Sequence, residues 1–200
     1  MSLIRNGIVI FIIPFFLYSH LQEVRITMMI SVVGIHEYSI VDGDGVRTVV
    51  FGAGCSHECQ HCHNPHTWNI NNGEWVSVQD VIEKLDITAK KIFLGVTFSG
   101  GDPMFQAEAF CELAKMIKAI SNEDIWCYTG YLFEDLVRNH DEKYELLKHV
   151  DVLVDGRYIH ELRDLSLLYR GSSNQRLIDV KESLTHGTVV DYTIWTLDSE

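Results

Sequence analysis

Cys55, Cys59 and Cys62 crowd into residues 54–64, G-C-S-H-E-C-Q-H-C-H-N. Thiolates are soft metal ligands, and this C-x3-C-x2-C spacing lets one compact loop aim three sulfurs at a single centre. Three are one short of the set that closes a tetrahedral zinc site or fully ligates an iron-sulfur cluster, so something else must fill the fourth position. His57, His61 and His63 are interleaved with the cysteines. A Cys3His zinc site is therefore one solution, and an iron-sulfur cluster whose fourth position is filled from elsewhere is another. Three unpaired thiols with no metal would be a redox liability without a packing purpose. A second candidate is residues 97–103, T-F-S-G-G-D-P. Alone, such glycine-proline punctuation marks a turn. After a buried strand, however, Gly100 and Gly101 would let a small ligand lie directly against the backbone.

The elements that must position these residues are strands and helices in alternation. Residues 46–51, V-R-T-V-V-F, are rich in β-branched side chains and end at Gly52, which predicts a strand feeding directly into the cysteine loop. Ser77 is a good N-cap for a helix in which Val78, Val81, Ile82 and Leu85 recur at helical spacing. Residues 91–98 predict the next strand, 107–120 a helix with Phe110, Leu113, Ile117 and Ile120 on one face, and 125–128 a short strand ending at Thr129-Gly130. Residues 134–148 predict a helix broken near 139–141, followed by a strand at 150–154 and a strand-like segment at 177–180. Strand-helix alternation at this spacing implies an α/β domain with a mainly parallel sheet and helical crossovers. Loops at the carboxyl ends of parallel strands converge on one face. The cysteine loop, the glycine-pair loop and the Thr129-Gly130 turn should thus meet.

Composition bounds the function. The chain has 200 residues, 46% hydrophobic and 22% charged, which suits one globular domain. A net charge of −12 argues against a broad phosphate-backbone contact, so a protein or small-molecule partner is expected and nucleic acid is not. The five cysteines are not the spaced, even set of a secreted disulfide scaffold, and a reducing, cytoplasmic compartment is expected. Cys111 and Cys127 fall in apolar segments and read as small buried hydrophobes. The apolar run at 8–17, interrupted by Pro14, is far short of the ~20 residues that span a bilayer. Residues 1–28 therefore read as an N-terminal extension, possible upstream translation before a domain at 29–200, rather than a membrane anchor.

Gly34-Ile35-His36, V-D-G-D-G-V-R at 41–47, the three cysteines, His63-Asn64-Pro65 with Thr67-Trp68, and residues 97–103 together resemble the radical S-adenosylmethionine activating enzymes of glycyl-radical proteins. Val154-Asp155-Gly156, Asp164-Leu165-Ser166 and especially R-G-S-S-N-Q-R at 170–176 resemble, within that group, the activating component of anaerobic ribonucleotide reductase. The resemblance runs from about residue 29 onward. Two positions depart from the pattern: His61 stands where an aromatic often precedes the third cysteine, and Asp44 replaces the proline common in V-D-G-P-G.

The resemblance implies a single-domain partial (β/α) barrel. It also implies a 4Fe-4S cluster held by Cys55, Cys59 and Cys62, with S-adenosylmethionine chelating the open fourth iron. Ser99, Gly100, Gly101 and Asp102 would lie along the cofactor's methionine moiety. The backbone of His61, Cys62 and His63, and Thr129, would lie near the rest. Reductive cleavage would yield a 5′-deoxyadenosyl radical that takes hydrogen from a partner glycine, with no protein acid or base required. Partners would be the anaerobic reductase and an electron donor such as a flavodoxin. Asp102, Asp155, Arg157, Arg170 and Arg176 are candidates for positioning or partner contact, or are solvated loop charges. The alternatives are an activase of pyruvate formate-lyase type, disfavoured by the 170–176 segment, and a zinc-binding interaction module, which leaves the glycine-pair loop without a task.

Overall fold

The β-branched run beside the cysteines forms a strand, Arg47–Gly52, third in the order of a seven-stranded sheet. The computed structural model describes residues 2–5, 8–11, 27–86 and 95–194. In chain order the elements are β1 (Ser2–Arg5), β2 (Ile8–Phe11), β3 (Met29–Ser39), β4 (Arg47–Gly52), β5 (Glu74–Ser77), α1 (Val78–Leu85), β6 (Gly95–Gly100), α2 (Ala107–Ile120), β7 (Asp124–Tyr128), α3 (Phe133–Asn139), α4 (Glu142–Leu147), β8 (Val152–Asp155), β9 (Arg176–Asp179) and α5 (Val180–His186). The sheet order is β5-β3-β4-β6-β7-β8-β9. Its central block, β4-β6-β7-β8, is parallel, so the loops after these four strands leave from the same end.

The edges depart from the parallel expectation. β3 and β5 run antiparallel on one side and β9 runs antiparallel to β8 on the other. β9 turns back because residues 156–175 contain only a short 3-10 turn, His160–Leu162, and no crossover helix. The strand expected at 91–98 is described from Gly95 and continues to Gly100, whose backbone pairs with Gly52; residues 91–94 lie outside the described residues. Of the expected extension at 1–28, β1 and β2 form an antiparallel ribbon, Met28 O accepts from Val78 N, and residues 12–26 lie outside the described residues. Among the described residues no helix is long and apolar enough to cross a membrane.

Alternation along the strands separates two faces. Val50, Val96, Phe98, Ile125, Cys127, Leu153 and Ile178 join the helical side chains Val81, Leu85, Phe110, Leu113, Ile117 and Leu136 in the main core. Each large side chain buried there contributes on the order of 1.5–3 kcal/mol. Cys111 and Cys127 are buried and unpaired, and burial pushes both thiols up, as expected of small hydrophobes. α1 starts at Ser77, whose hydroxyl accepts from Asp80 N while Asp80 returns the bond to Ser77 N. The predicted break between α3 and α4 is His140 in the left-handed region, followed by Asp141 as N-cap.

The opposite face carries Trp126, Val152, Val154 and Leu177, and among the described residues no helical side chain joins this cluster. Tyr169 and Tyr192 instead stand edge-on to Trp126, at 5.4 and 5.2 Å. At the amino end of β4 the Arg47 guanidinium, 1% exposed, donates to Thr97 Oγ1, Asp44 O and Val96 O and pairs with Asp124 at 2.9 Å. This end of the sheet is shut; the other carries the cysteines.

Candidate functional site

Three loops and a turn leave the carboxyl ends of β4, β6, β7 and β8 and meet there. The cysteine loop is fixed at its root by backbone bonds, Gly54 N to Thr67 O at 2.8 Å and Cys55 N to Trp68 O at 3.0 Å. Thr67, buried, returns its hydroxyl to Asn64 O at 2.7 Å, which explains the N-P-x-T-W run after the third cysteine. The Gln106 amide bridges the loop root to β3, donating to Ala53 O and Ser31 O and accepting from Ser31 N. Within the loop, Glu58 and His61 adopt left-handed backbone, at φ 47° and 58°, and curl the chain between the cysteines. Cys62 N donates to Cys59 O, and Cys62 Sγ accepts from Asn64 N at 3.4 Å.

All three cysteines are free and half-buried. Burial pushes the Cys55 thiol up, and the nearby backbone N–H groups of His57 and Glu58 act the other way. Partly exposed thiols with backbone N–H groups close by suit iron-sulfur ligation. Among the described residues no three His, Cys, Asp or Glu side chains converge tightly enough for a single metal ion. A zinc ion needs such convergence, whereas in a cluster each cysteine takes its own iron. Two of the histidines are also engaged elsewhere. His61 is exposed and stacks on His160 at 4.2 Å, and His57 is turned inward. His63 is exposed. The arrangement fits a cluster and supplies no Cys3His site.

The glycine pair is pressed against the cysteine loop. Gly101 N donates to Gly52 O and Asp102 N to Gly54 O, both at 2.8 Å. A Cβ on Gly100 would strike the Gly52 backbone, and one on Gly101 the carbonyl oxygens of Gly54 and Thr67. Close backbone approach is thus one reason for both glycines, independent of any ligand. Ser99, half-buried, precedes them.

Asp102 is no solvated loop charge. It is 3% exposed; Oδ1 accepts from Met104 N at 2.9 Å, and Oδ2 accepts from Thr129 Oγ1 and Gly130 N, both at 3.0 Å. The same oxygen lies 2.8 Å from His57 Nε2. His57 Nδ1 in turn accepts from Arg157 Nε at 3.0 Å, and Tyr131 stands edge-on to the ring. The Asp102 carboxylate and Thr129 hydroxyl are therefore engaged within the protein, so their side chains join the loops to one another.

The 170–176 segment is equally occupied. Gln175 Oε1 accepts from Gly171 N and Ser172 N while Nε2 donates to Gly156 O. Asn174 Nδ2 donates to Arg157 O, and Ser172 Oγ accepts from Ile159 N. Arg170 Nη1 donates to Gln175 O. Arg176 pairs with buried Asp155 and, through both terminal nitrogens, with Glu134. Those bonds raise Arg176 and hold Glu134 below the usual carboxylate range. Sequence reasoning missed His57 as a strut, Gln106, Tyr131 and buried Arg47; only His57 carried a signal, its place between two cysteines.

A family model described as a 4Fe-4S single cluster domain matches residues 41–178, which include all three cysteines. The anaerobic ribonucleoside-triphosphate reductase-activating protein of Enterobacteria phage T4 is 40% identical over 146 residues, 72% of this chain and 90% of its own. The chain belongs to the anaerobic ribonucleoside-triphosphate reductase-activating protein family. Members from Vibrio cholerae and Escherichia coli K12 are each 37% identical, over 70% of this chain and 94% of theirs. Among solved structures, QueE from Escherichia coli is similar over 64% of this chain and 70% of its own, with a TM-score of 0.43 and 11% identity. The matching domain model supports an iron-sulfur cluster in this chain, and membership sets this family ahead of the pyruvate formate-lyase type and the zinc module.

Proposed function

We propose that the chain activates an anaerobic ribonucleoside-triphosphate reductase, with Cys55, Cys59 and Cys62 each holding one iron of a 4Fe-4S cluster and S-adenosylmethionine bound beside it. The observation that carries this reading is the meeting of a three-cysteine loop with a glycine-pair loop and the Thr129-Gly130 turn at one end of the sheet, in a chain of that family. A cluster held by Cys55, Cys59 and Cys62 would supply the one-electron reduction of S-adenosylmethionine from which hydrogen abstraction at a reductase glycine would follow.

The chain's own residues bind, orient and screen. Three thiolates leave one iron without a protein ligand, which is what direct cofactor contact requires. The peptide groups of Ser99, Gly100 and Gly101, and the backbone around His61, Cys62, His63 and Thr129, are the surfaces for the cofactor. Asp102 acts through the loops it joins. No side chain is assigned proton transfer, since hydrogen-atom abstraction needs none. An electron donor such as a flavodoxin and a cytoplasmic setting complete the proposal, with residues 29–200 as the working domain.

The test is anaerobic reconstitution with iron and sulfide, then mixing with the cognate reductase, S-adenosylmethionine and a reductant. A glycyl radical seen by electron paramagnetic resonance is the expected result for wild type, with none for Cys59→Ala, which should also lose the brown cluster absorbance. Wild-type cofactor cleavage by Cys59→Ala would remove the ligand assignment, and one tightly held zinc in place of iron would remove the cluster.

A further inference from the structure

The large apolar side chains left most open to solvent are not scattered over the molecule. Among the described residues the five most exposed are Leu165, Ile40, Val41, Tyr38 and Leu168, the first three at 78%, 70% and 70%. All five come from two short segments, 38–41 and 165–168, to which the cluster chemistry gives no task. Exposed leucines standing singly are ordinary, but the five extremes gathered in two segments mark a contact surface.

Both segments are held in place, and both close on the Trp126 ring. Residues 162–173 form a hairpin: Ser173 N donates to Leu162 O at 2.8 Å, Asp164 N donates to Gly171 O at 3.3 Å, and a β-bridge joins Arg163 to Ser172. Asp164 Oδ1 accepts from Ser166 N and Oγ, at 2.8 and 2.6 Å, and fixes the turn at Leu165. The bonds of Gln175 to Gly171 N and Ser172 N stiffen the returning arm. Beside Leu168, Tyr169 stands edge-on to Trp126. The 38–41 segment runs into Asp42, whose carbonyl accepts from Thr97 Oγ1 at 2.7 Å, and into Gly43, where a Cβ would strike the Trp126 indole. Val41 is two residues from that anchor and Leu168 one residue from Tyr169, and each residue adds at most about 3.6 Å of chain. The two apolar sets therefore flank one ring. At the root of the hairpin His160 stacks on His61, next to Cys62, at 4.2 Å. The surface thus reaches the cysteine loop.

We propose that Tyr38, Ile40, Val41, Leu165 and Leu168 form the surface on which the reductase docks, an apolar pocket of the partner taking the hairpin tip while its glycine-bearing segment lies over the cysteine loop. The identity of the partner rests on the activating function proposed above. Continuity with the site selects it: a protein that brings a backbone glycine to the cysteine loop must pass the hairpin whose root touches that loop. A net charge of −12 opposes an anionic lipid surface as the occupant. Protruding side chains on an ordered turn cost little entropy to bury, which suits them as anchors. The 170–176 segment then shapes the element that the partner reads, although its own polar groups face inward.

The test measures anaerobic binding of the reconstituted protein to the cognate reductase by biolayer interferometry. Leu165→Ser combined with Leu168→Ser should weaken binding about tenfold or more, and Leu165→Met should stay near wild type. Val41→Ser, on the other segment, should also weaken binding and keeps the test available if the hairpin variant does not fold. Ile120→Ser, at an exposed side chain ending α2, should leave binding unchanged. Cleavage of S-adenosylmethionine by reductant without the reductase should keep its wild-type rate in all of them, while the reductase concentration giving half-maximal glycyl radical rises in step with the lost affinity. Wild-type affinity in the double-serine variant would overturn the proposal. So would a dimer of this chain, or binding to anionic lipid vesicles, that the serines abolish while reductase affinity is untouched. If the serines weaken binding but wild type forms no glycyl radical, the docking surface stands and the activating function falls; a radical formed by wild type and by the serine variant at equal reductase concentration leaves the function and removes the surface.

Discussion

Asp102 concentrates the site's bonds on one carboxylate: Met104 N, Thr129 Oγ1 and Gly130 N donate to it, and His57 Nε2 lies 2.8 Å from it. Removing it strands several buried donors, each costing about 1–3 kcal/mol. Asp102→Ala should therefore lose roughly 3 kcal/mol or more of unfolding free energy in urea melts, and Asp102→Asn less, because the amide oxygen still accepts. A loss below about 1 kcal/mol for the alanine variant would mean that the donors find water instead. At this scale the cysteines were legible in the sequence, since thiol chemistry and close spacing are local. The roles of His57 and Asp102 were not. Each reads as metal-binding or cofactor-binding by type, and only contacts across 45 and 100 positions of chain, to each other and to Arg157, reveal that they bind protein. Arg47 was hidden for the same reason: in V-R-T-V-V-F it passes for the polar face of a strand, whereas its acceptors come from Asp44, Val96, Thr97 and Asp124.

Among the elements, α2 was predicted at Ala107–Ile120 as it stands, because a long amphipathic repeat needs no distant information. β3 and β5 gave no such signal. β5 is four residues at an edge with both leading residues exposed, and β3 carries register irregularities that break its alternation. The turn after β7 offers a sharper experiment. Gly130→Ala should push the His57 ring from its seat and cost about 1–3 kcal/mol. In a His57→Ala background the obstacle is gone, and the same change should be close to neutral, giving a coupling of similar size in a double-mutant cycle. Additive effects would show that the turn, and not the ring, rejects the methyl group.

For the whole molecule, the sheet has a working end and a shut end, and stability should be most sensitive at the shut one. Burial lowers Arg47 and raises Asp124 despite their pairing. Asp124→Leu should leave the Arg47 guanidinium, 1% exposed, without its carboxylate, at a cost of about 3–5 kcal/mol by denaturant titration. The Trp126 face of the sheet makes a separate pH prediction. Burial, with Asp44 and Asp124 nearby, pushes Tyr192 up to about 12, and burial also raises Tyr128. An unfolded tyrosine ionises near ~10, so the folded protein holds these protons longer. Their stabilising effect is complete below about pH 10 and is lost as pH rises toward 12. Tyr192→Phe should flatten the fall in stability across that window, followed by fluorescence unfolding; an unchanged slope would contradict the assignment.

Gly100 and Gly101 have a consequence for how this chain can vary. The nearest atoms a methyl group would meet there belong to the main chain of Phe51, Gly52, Gly54 and Thr67. Side chains can be exchanged to make room for a neighbour, but peptide groups are common to every residue. No second-site substitution can therefore compensate a change at either position. A library randomised at 100 and 101 together with all surrounding side chains, and selected for folding alone, should return glycine at both, even with the cysteines removed and no cofactor to bind.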